Sequence, residues 1–236
     1  MSPRAPRLPP PTQRPASGGA QAAGAPGTRA PCARAQEVLL FWFGQRPYAP
    51  EQIRQRARLW FGDPQAPELT PQTDELIAER FGPLMLCAAR GELSSWESSP
   101  RRRLALILLL DQFPRNVHRG TAAAFAQDAH ALSLAVSGMQ FGADGALDPL
   151  ERLFFYMPLM HAESLEVQEE SLAAFRRLQE EAPAQLRAQI DSALHYARLH
   201  RDVIARFGRF PHRNRILGRR DTAAEAHWLA SDEPGI

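Results

Sequence analysis

Residues 100–112 read PRRRLALILLLDQ. Every side chain from Leu104 to Leu110 is apolar, with no polar face at a period of either 3.6 or 2, so this stretch is enclosed on all sides. A short buried strand would show the same pattern. Because Leu predominates and β-branched residues are scarce, a helix is predicted, opened by Ser99-Pro100 and central to the fold. Arg101, Arg102 and Arg103 crowd its first turn, the unfavourable end of a helix dipole for a cation, and are read as a solvated rim.

Helical periodicity continues on both sides. On the N-terminal side, Ala35–Gly44 (AQEVLLFWFG) is a short apolar helix stopped by Gly44 and Pro47. Pro50–Phe61 then places Ile53, Ala57 and Trp60 on one face. Thr70-Pro71 starts a helix with Leu76, Ile77, Phe81, Leu84, Met85 and Ala88 inward, ending at Gly91. On the C-terminal side, Thr121 caps a helix reaching Phe141, with Phe125, Ala129, Leu132 and Val136 inward. Pro149–Met160 is interrupted or closed near Pro158. Ser164–Glu181 and Pro183–Phe207 follow, and Asp221 or Thr222 caps Ala223–Leu229. No stretch reads as a strand. About nine helices joined by short turns predict an all-α fold of stacked antiparallel helical hairpins. No period of about 34 residues is preserved.

Residues 1–34 differ from all of this. They hold eight Pro and five Arg, no Asp or Glu, and almost no large apolar side chains. Such a segment cannot bury enough surface to offset its ordering entropy and is expected to be a disordered tail, with 35–236 as one helical domain. The tail lacks the apolar core of a secretory signal. It faintly resembles an organelle transit peptide, although its Pro content argues against an amphipathic helix; an over-long start is equally open. The chain has 28 basic residues, all Arg, and 26 acidic ones; without the five Arg of the tail the balance is 23 to 26. A globally basic, nucleic-acid-binding surface is therefore not expected. Two cysteines, Cys32 and Cys87, form neither a disulfide framework nor a thiolate metal site. The longest apolar run has seven residues, far below the roughly 20 needed to span a bilayer, so a soluble, cytoplasmic protein is expected.

Two loops concentrate the polar chemistry. Asp111–Gly120 (DQFPRNVHRG) and His200–Arg220 (HRDVIARFGRFPHRNRILGRR) share a Phe-Pro step; QFPRN and RFPHRN differ by one inserted His. A purely connecting loop favours Gly, Ser, Asp and Pro instead. Arg presents a planar fork suited to carboxylate or phosphate. Asp111, Gln112, Arg115, Asn116 and Arg119 from the first loop are thus candidate ligand-binding residues. From the second come Arg209, His212, Arg213, Asn214 and Arg219. The competing explanation is that these arginines pair with Asp and Glu or cap helix carbonyls. MPLMHAESLEVQ places His161 and Glu163 just beyond Pro158. With His200 they form the candidate catalytic set, Glu163 acting as base or orienting His161. No HExxH spacing, Cys cluster or Gly-rich nucleotide loop is present, so neither metal nor cofactor is expected.

The segments VLLFWFG, LLLDQFPRNVHRG with AFAQDAHAL, ERLFFYMPLMHAES with Gln168, and HRDVIARFGRFPHRNRILGR resemble a bacterial domain-of-unknown-function family, number 924. The resemblance implies a tetratricopeptide-like, right-handed helical array and brings no established activity. Two positions depart from it: Ala162, and Asp221 in the block after Arg219, stand where the family prefers Ser. Two readings of function follow. In the first, the two loops build a pocket for a small phosphate- or carboxylate-bearing ligand, with acid–base hydrolysis or isomerisation at His161, Glu163 and His200. In the second, a tetratricopeptide-like scaffold clamps the carboxylate of a peptide, without catalysis.

Overall fold

The computed structural model of the protein describes residues 31–62, 66 and 69–231. The predicted tail lies outside the described residues as far as residue 30. Its last residues already belong to α1 (Pro31–Phe43), which begins ahead of the expected Ala35. There follow α2 (Pro50–Phe61), α3 (Leu69–Ala89), α4 (Pro100–Ile107) and α5 (Phe113–Val117), then α6 (Asp128–Gln140), α7 (Pro149–Met160), α8 (Leu165–Glu180), α9 (Arg187–Phe207) and α10 (Ala223–Leu229). The described residues contain no strand, and the fold is all-α. No helix among them is long and apolar enough to cross a membrane.

The Leu-rich stretch is the central element. α4 packs against α1, α6 and α7, and every residue from Arg103 to Pro114 is buried. Between α4 and α5 the helix does not stop; it widens into a π-helical turn at Leu108–Gln112, in which the Phe113 N–H reaches back to the Leu108 carbonyl. Pro114 has no N–H to return to Leu110, and its ring crowds that carbonyl. Widening the turn by one residue relieves the conflict and turns Asp111 and Gln112 to a new azimuth.

Around this axis an aromatic cluster joins five helices. Trp42 packs on Phe113 and Phe154, Phe43 and Trp60 pack on Phe154, and Phe41 and Phe113 pack on Phe81, with ring centres 4.8–6.3 Å apart. Successive helices α6, α7, α8 and α9 lie side by side, and short turns force each to reverse. α7 is buried along almost its whole length and runs through Pro158 before closing at Met160. Enclosure on every side outweighs the single hydrogen bond that Pro158 removes.

Three sequence readings need correction. Arg103 is not a solvated rim: it is 8% exposed, donating from Nε to the Glu97 carbonyl and from Nη1 to the Leu134 carbonyl and Ser137 Oγ. Leu76 of α3 is exposed, while Ile77, Phe81, Leu84, Met85 and Ala88 are buried as expected. The single helix expected from Thr121 to Phe141 is instead a 3-10 turn at Ala122–Phe125 followed by α6, whose buried face is Ala131, Leu134, Ala135 and Gly138. Small residues line this face because α6 approaches closely. A Cβ on Gly138 would fall 2.5 Å from Phe155 Cζ and 2.9 Å from Arg103 Cδ. Gly138→Ala should therefore destabilise the protein despite the better helix propensity of Ala, by about 1–2 kcal/mol in chemical denaturation.

Candidate functional site

The turn after α7 sets the site. Gln168 of α8 is buried, and its side-chain amide donates to the carbonyls of Met160 (2.7 Å) and Ala162 (2.8 Å), two acceptors left open where the helix ends. Ser164 then caps α8. Between these anchors His161 leaves the helix, and its side chain meets the π turn.

His161 Nδ1 lies 2.7 Å from Oδ1 of Asp111, which is fully buried. Arg115 Nη2 bridges Asp111 Oδ1 (3.2 Å) and Asp128 Oδ1 (2.9 Å). Arg213 Nη1 donates to Asp128 Oδ2 (3.3 Å) and back to the His161 carbonyl (3.2 Å). The ring therefore closes on one residue, holding its imidazole at one end and its backbone at the other. Gln112 Nε2 supplies a further donor to Asp111 at 2.5 Å. The guanidinium of Arg213 is sandwiched between the rings of Phe125 (4.6 Å) and Phe210 (4.4 Å), and Arg115 stacks on Phe125 as well (5.3 Å). Ring faces compensate cations that have little water.

The electrostatics follow from this packing. Burial alone would raise the Asp111 carboxyl, but His161, Arg115 and the donated hydrogen bonds outweigh it and hold the group well below the usual carboxylate range. The ionised carboxylate can only accept, so Nδ1 of His161 carries the proton and Nε2 is bare in the neutral ring. Burial, reinforced by the charge of Arg115, lowers the His161 pKa against the pull of Asp111. Burial also lowers His200, to about 3, aided by the positive field of its neighbours. Its Nδ1 donates to the Tyr196 carbonyl at 2.8 Å, so its Nε2 is also bare. Burial brings Arg213 down to about 10, where it remains charged at neutral pH.

Both imidazoles line one cleft of about 650 Å³, their ring centres 6.4 Å apart. Trp60 and Phe61 of α2 form one wall and Met157 and Met160 of α7 another. α9 contributes Ala188, Gln189, Ser192, Tyr196 and His200. Helical spacing puts the last three on one stripe. Gln112, Arg115, Asn116 and Arg119 complete the lining.

A family model for a bacterial protein of unknown function, DUF924, matches residues 38–233. The chain belongs to the DUF924 family. A solved structure of a protein of unknown function from Agrobacterium tumefaciens is 34% identical to it, with a TM-score of 0.69 over 85% of this chain and 99% of that one. No curated protein matches the chain. The DUF924 segments DQFPRN, AFAQD, MPLMHAES and RFPHRN are the pieces that the His161 ring ties together.

The two Phe-Pro loops of this DUF924 chain do meet, but not as an open cationic pocket. Each candidate arginine has a carboxylate partner. Arg115 pairs with Asp111 and Asp128, and Arg213 with Asp128. Arg119 takes Asp74 with two bonds of 3.1 and 3.2 Å. Arg209 binds Glu225 (2.6 and 2.8 Å), and Arg219 binds Glu163 (2.7 and 2.9 Å). The cluster therefore carries no excess positive charge, which removes the basis for expecting it to hold an anion. Asn116 donates to Asp74, and Asn214 to Asp221. Arg209, His212, Arg213, Asn214 and Arg219 do not line the cleft; they build the wall behind His161. The His212 imidazole is half-buried against Phe210, its Nδ1 without a hydrogen-bond partner.

Glu163 does not serve as the expected base or orienting group. Both its oxygens are taken by Arg219, and Oε1 also accepts the Phe210 N–H at 2.8 Å. Asp111, expected as a ligand contact, orients His161 instead. Sequence reasoning missed Asp128 and Asp74, the counter-charges, as well as the apolar walls at Trp60, Phe61, Met157 and Met160. The signal for Asp128 was its place in the quoted AFAQD block; Asp74 gave none.

Two expectations follow. Because His161, His200 and His212 all have folded-state values below the ordinary 6.5, protonation favours the unfolded chain. Their contribution is intact above about pH 6.5 and is lost as the pH falls towards about 3. The drop in melting temperature between about pH 6.5 and 5, above the carboxylate range, should shrink in His200→Gln. Arg213→Ala should cost about 1–3 kcal/mol in denaturant titration, because Asp128 Oδ2 and the His161 carbonyl lose their shared donor while Arg115 keeps Asp128 Oδ1, and inorganic phosphate should leave the wild-type melting temperature unchanged.

Proposed function

We propose that the cleft is a small-molecule site in which His161 acts as general base, oriented and electrostatically supported by Asp111. The observation that carries this reading is the 2.7 Å contact between His161 Nδ1 and the buried Asp111 carboxylate, with the opposite ring nitrogen bare in a cleft of ligand size. A proton leaving a bound substrate, or a water beside it, would pass to Nε2, and the imidazolium so formed would sit against a carboxylate already ionised. His200, held neutral, can accept a second hydrogen bond and fix the substrate's orientation. The chemistry best served is acid–base: hydrolysis by an activated water, or isomerisation through proton abstraction.

Two neutral imidazoles in one cleft at a helix end favour a small ligand over the clamp for a peptide carboxylate, which would need an uncommitted cation. The rigid supporting shell also fits, since a general base must be held within hydrogen-bond reach of its proton.

For a turnover found by screening hydrolytic and isomerisation substrates, His161→Gln should lower kcat by about 10²–10⁴-fold while the protein stays folded. Asp111→Asn should raise neither Tm nor kcat and should shift the His161 ring titration followed by NMR. Wild-type activity should rise with pH through a value below 6.5, the direction set by burial of His161. A His161→Gln variant with wild-type kcat would sink the assignment.

A further inference from the structure

The cleft also limits what its ligand can be. This step rests on the small-molecule reading above and adds the chemical class. We propose that the ligand is an uncharged hydroxylated arene, a phenol or catechol type, with its hydroxyl on His161 Nε2.

Three observations converge. First, charge: the two cations in the lining, Arg115 and Arg119, are each matched by carboxylates, so no net field selects an anion. Second, hydrogen bonding: the lining includes two imidazoles, each with one ring nitrogen already engaged. Nδ1 of His161 is committed to Asp111 and Nδ1 of His200 to the Tyr196 carbonyl. Neutral rings in these tautomers can only accept at Nε2, so the ligand must bring hydrogens on oxygen or nitrogen. A ligand without them would leave both acceptors desolvated and unpaired, which strongly selects against it.

Third, the walls: Trp60 has spent its N–H on the Trp42 carbonyl at 3.0 Å and so offers only carbon to the cleft. Phe61 and Tyr196 are 65% and 47% exposed at its edge and offer ring surface on which an aromatic ligand can stack. Met157 and Met160 line the same space, and thioethers are good partners for ring edges. Aliphatic alcohols would satisfy the imidazoles but not these walls. A volume of about 650 Å³ holds one or two rings.

No covalent step is involved. The hydroxyl donates a hydrogen bond to His161 Nε2 and keeps its proton in the resting complex, since burial holds the imidazole below its ordinary value. No redox partner is involved.

The test uses para-nitrophenol, whose absorbance reports ionisation, beside its methyl ether para-nitroanisole, para-nitrobenzoate and inorganic phosphate. Binding is followed by calorimetry, and the nitrophenol spectrum at a pH where the free compound is protonated. The expected result is binding of the protonated nitrophenol with its absorbance shifted by the hydrogen bond to His161, and at least about tenfold weaker binding of the methyl ether. Ala188→Phe, at an exposed position in the lining, should abolish binding while the protein stays folded. His161→Gln should remove the spectral change. Equal binding of phenol and ether, or preference for benzoate or phosphate, overturns the proposed class but leaves the cleft as a site. The NMR titration of His161 in Asp111→Asn needs no ligand; an unchanged ring pKa there would instead strike at the base assignment.

Discussion

The closed circuit of charged groups through His161 is the constraint on which the rest of the site depends. It runs from the imidazole through Asp111, Arg115, Asp128 and Arg213 back to the His161 carbonyl. Two carboxylates and two guanidiniums cancel, so the circuit can be buried without a net charge to solvate. Removing Asp128 would leave Arg213 charged, buried and without its carboxylate, and removing Arg213 would leave Asp128 to Arg115 alone; breaking a buried pair costs more than the intact pair is worth. The same circuit joins four parts of the chain: the π turn, the start of α6, the end of α7 and the second Phe-Pro loop. Fold and site are therefore one object here.

Around that circuit, ordinary helix chemistry supplies the geometry. Pro114 forces the helix to widen and thereby aims Asp111 and Gln112. Gln168 binds the open carbonyls at the end of α7 and fixes where His161 emerges. The second loop is pinned by Arg209 on Glu225 and Arg219 on Glu163, and Glu225 in turn closes the capping box of α10. With so many ties the wall behind His161 has little freedom, and the cleft it faces is neutral rather than cationic. On that neutral wall rests the proposed recognition of hydrogen-bond donors on an apolar frame.

Much of the fold was legible in the residues. The Leu104–Leu110 run announced a helix enclosed on all sides, and Gly44, Gly91 and the Ser99-Pro100 step marked boundaries close to those observed. Legibility failed where side chains are short or ambivalent. The Ala- and Gly-rich face of α6 has too little hydrophobic contrast to show which side is inward, so Ala129 was placed inside and Gly138 was not. Arg103 looked solvated because sequence cannot show that two carbonyls and a hydroxyl wait beside it. In the site, His161, His200 and the two Phe-Pro loops were recognisable by residue type and crowding. Asp128 and Asp74 were not, because one carboxylate among 26 acidic residues carries no mark of its partner.

The amino-acid sequence by itself determined the all-α class, the principal helices and the convergence of arginine, histidine and asparagine in two related loops. These are local properties, written in periodicity, in proline and glycine, and in composition. Only the tertiary structure decided what the arginines do. Whether a guanidinium is an open anion receptor or half of an ion pair depends on which carboxylate lies about 3 Å away, and here that carboxylate comes from 13 or 85 positions along the chain. Burial decided the rest, since it lowers both His161 and His200 and keeps the latter neutral, and burial belongs to the folded chain alone.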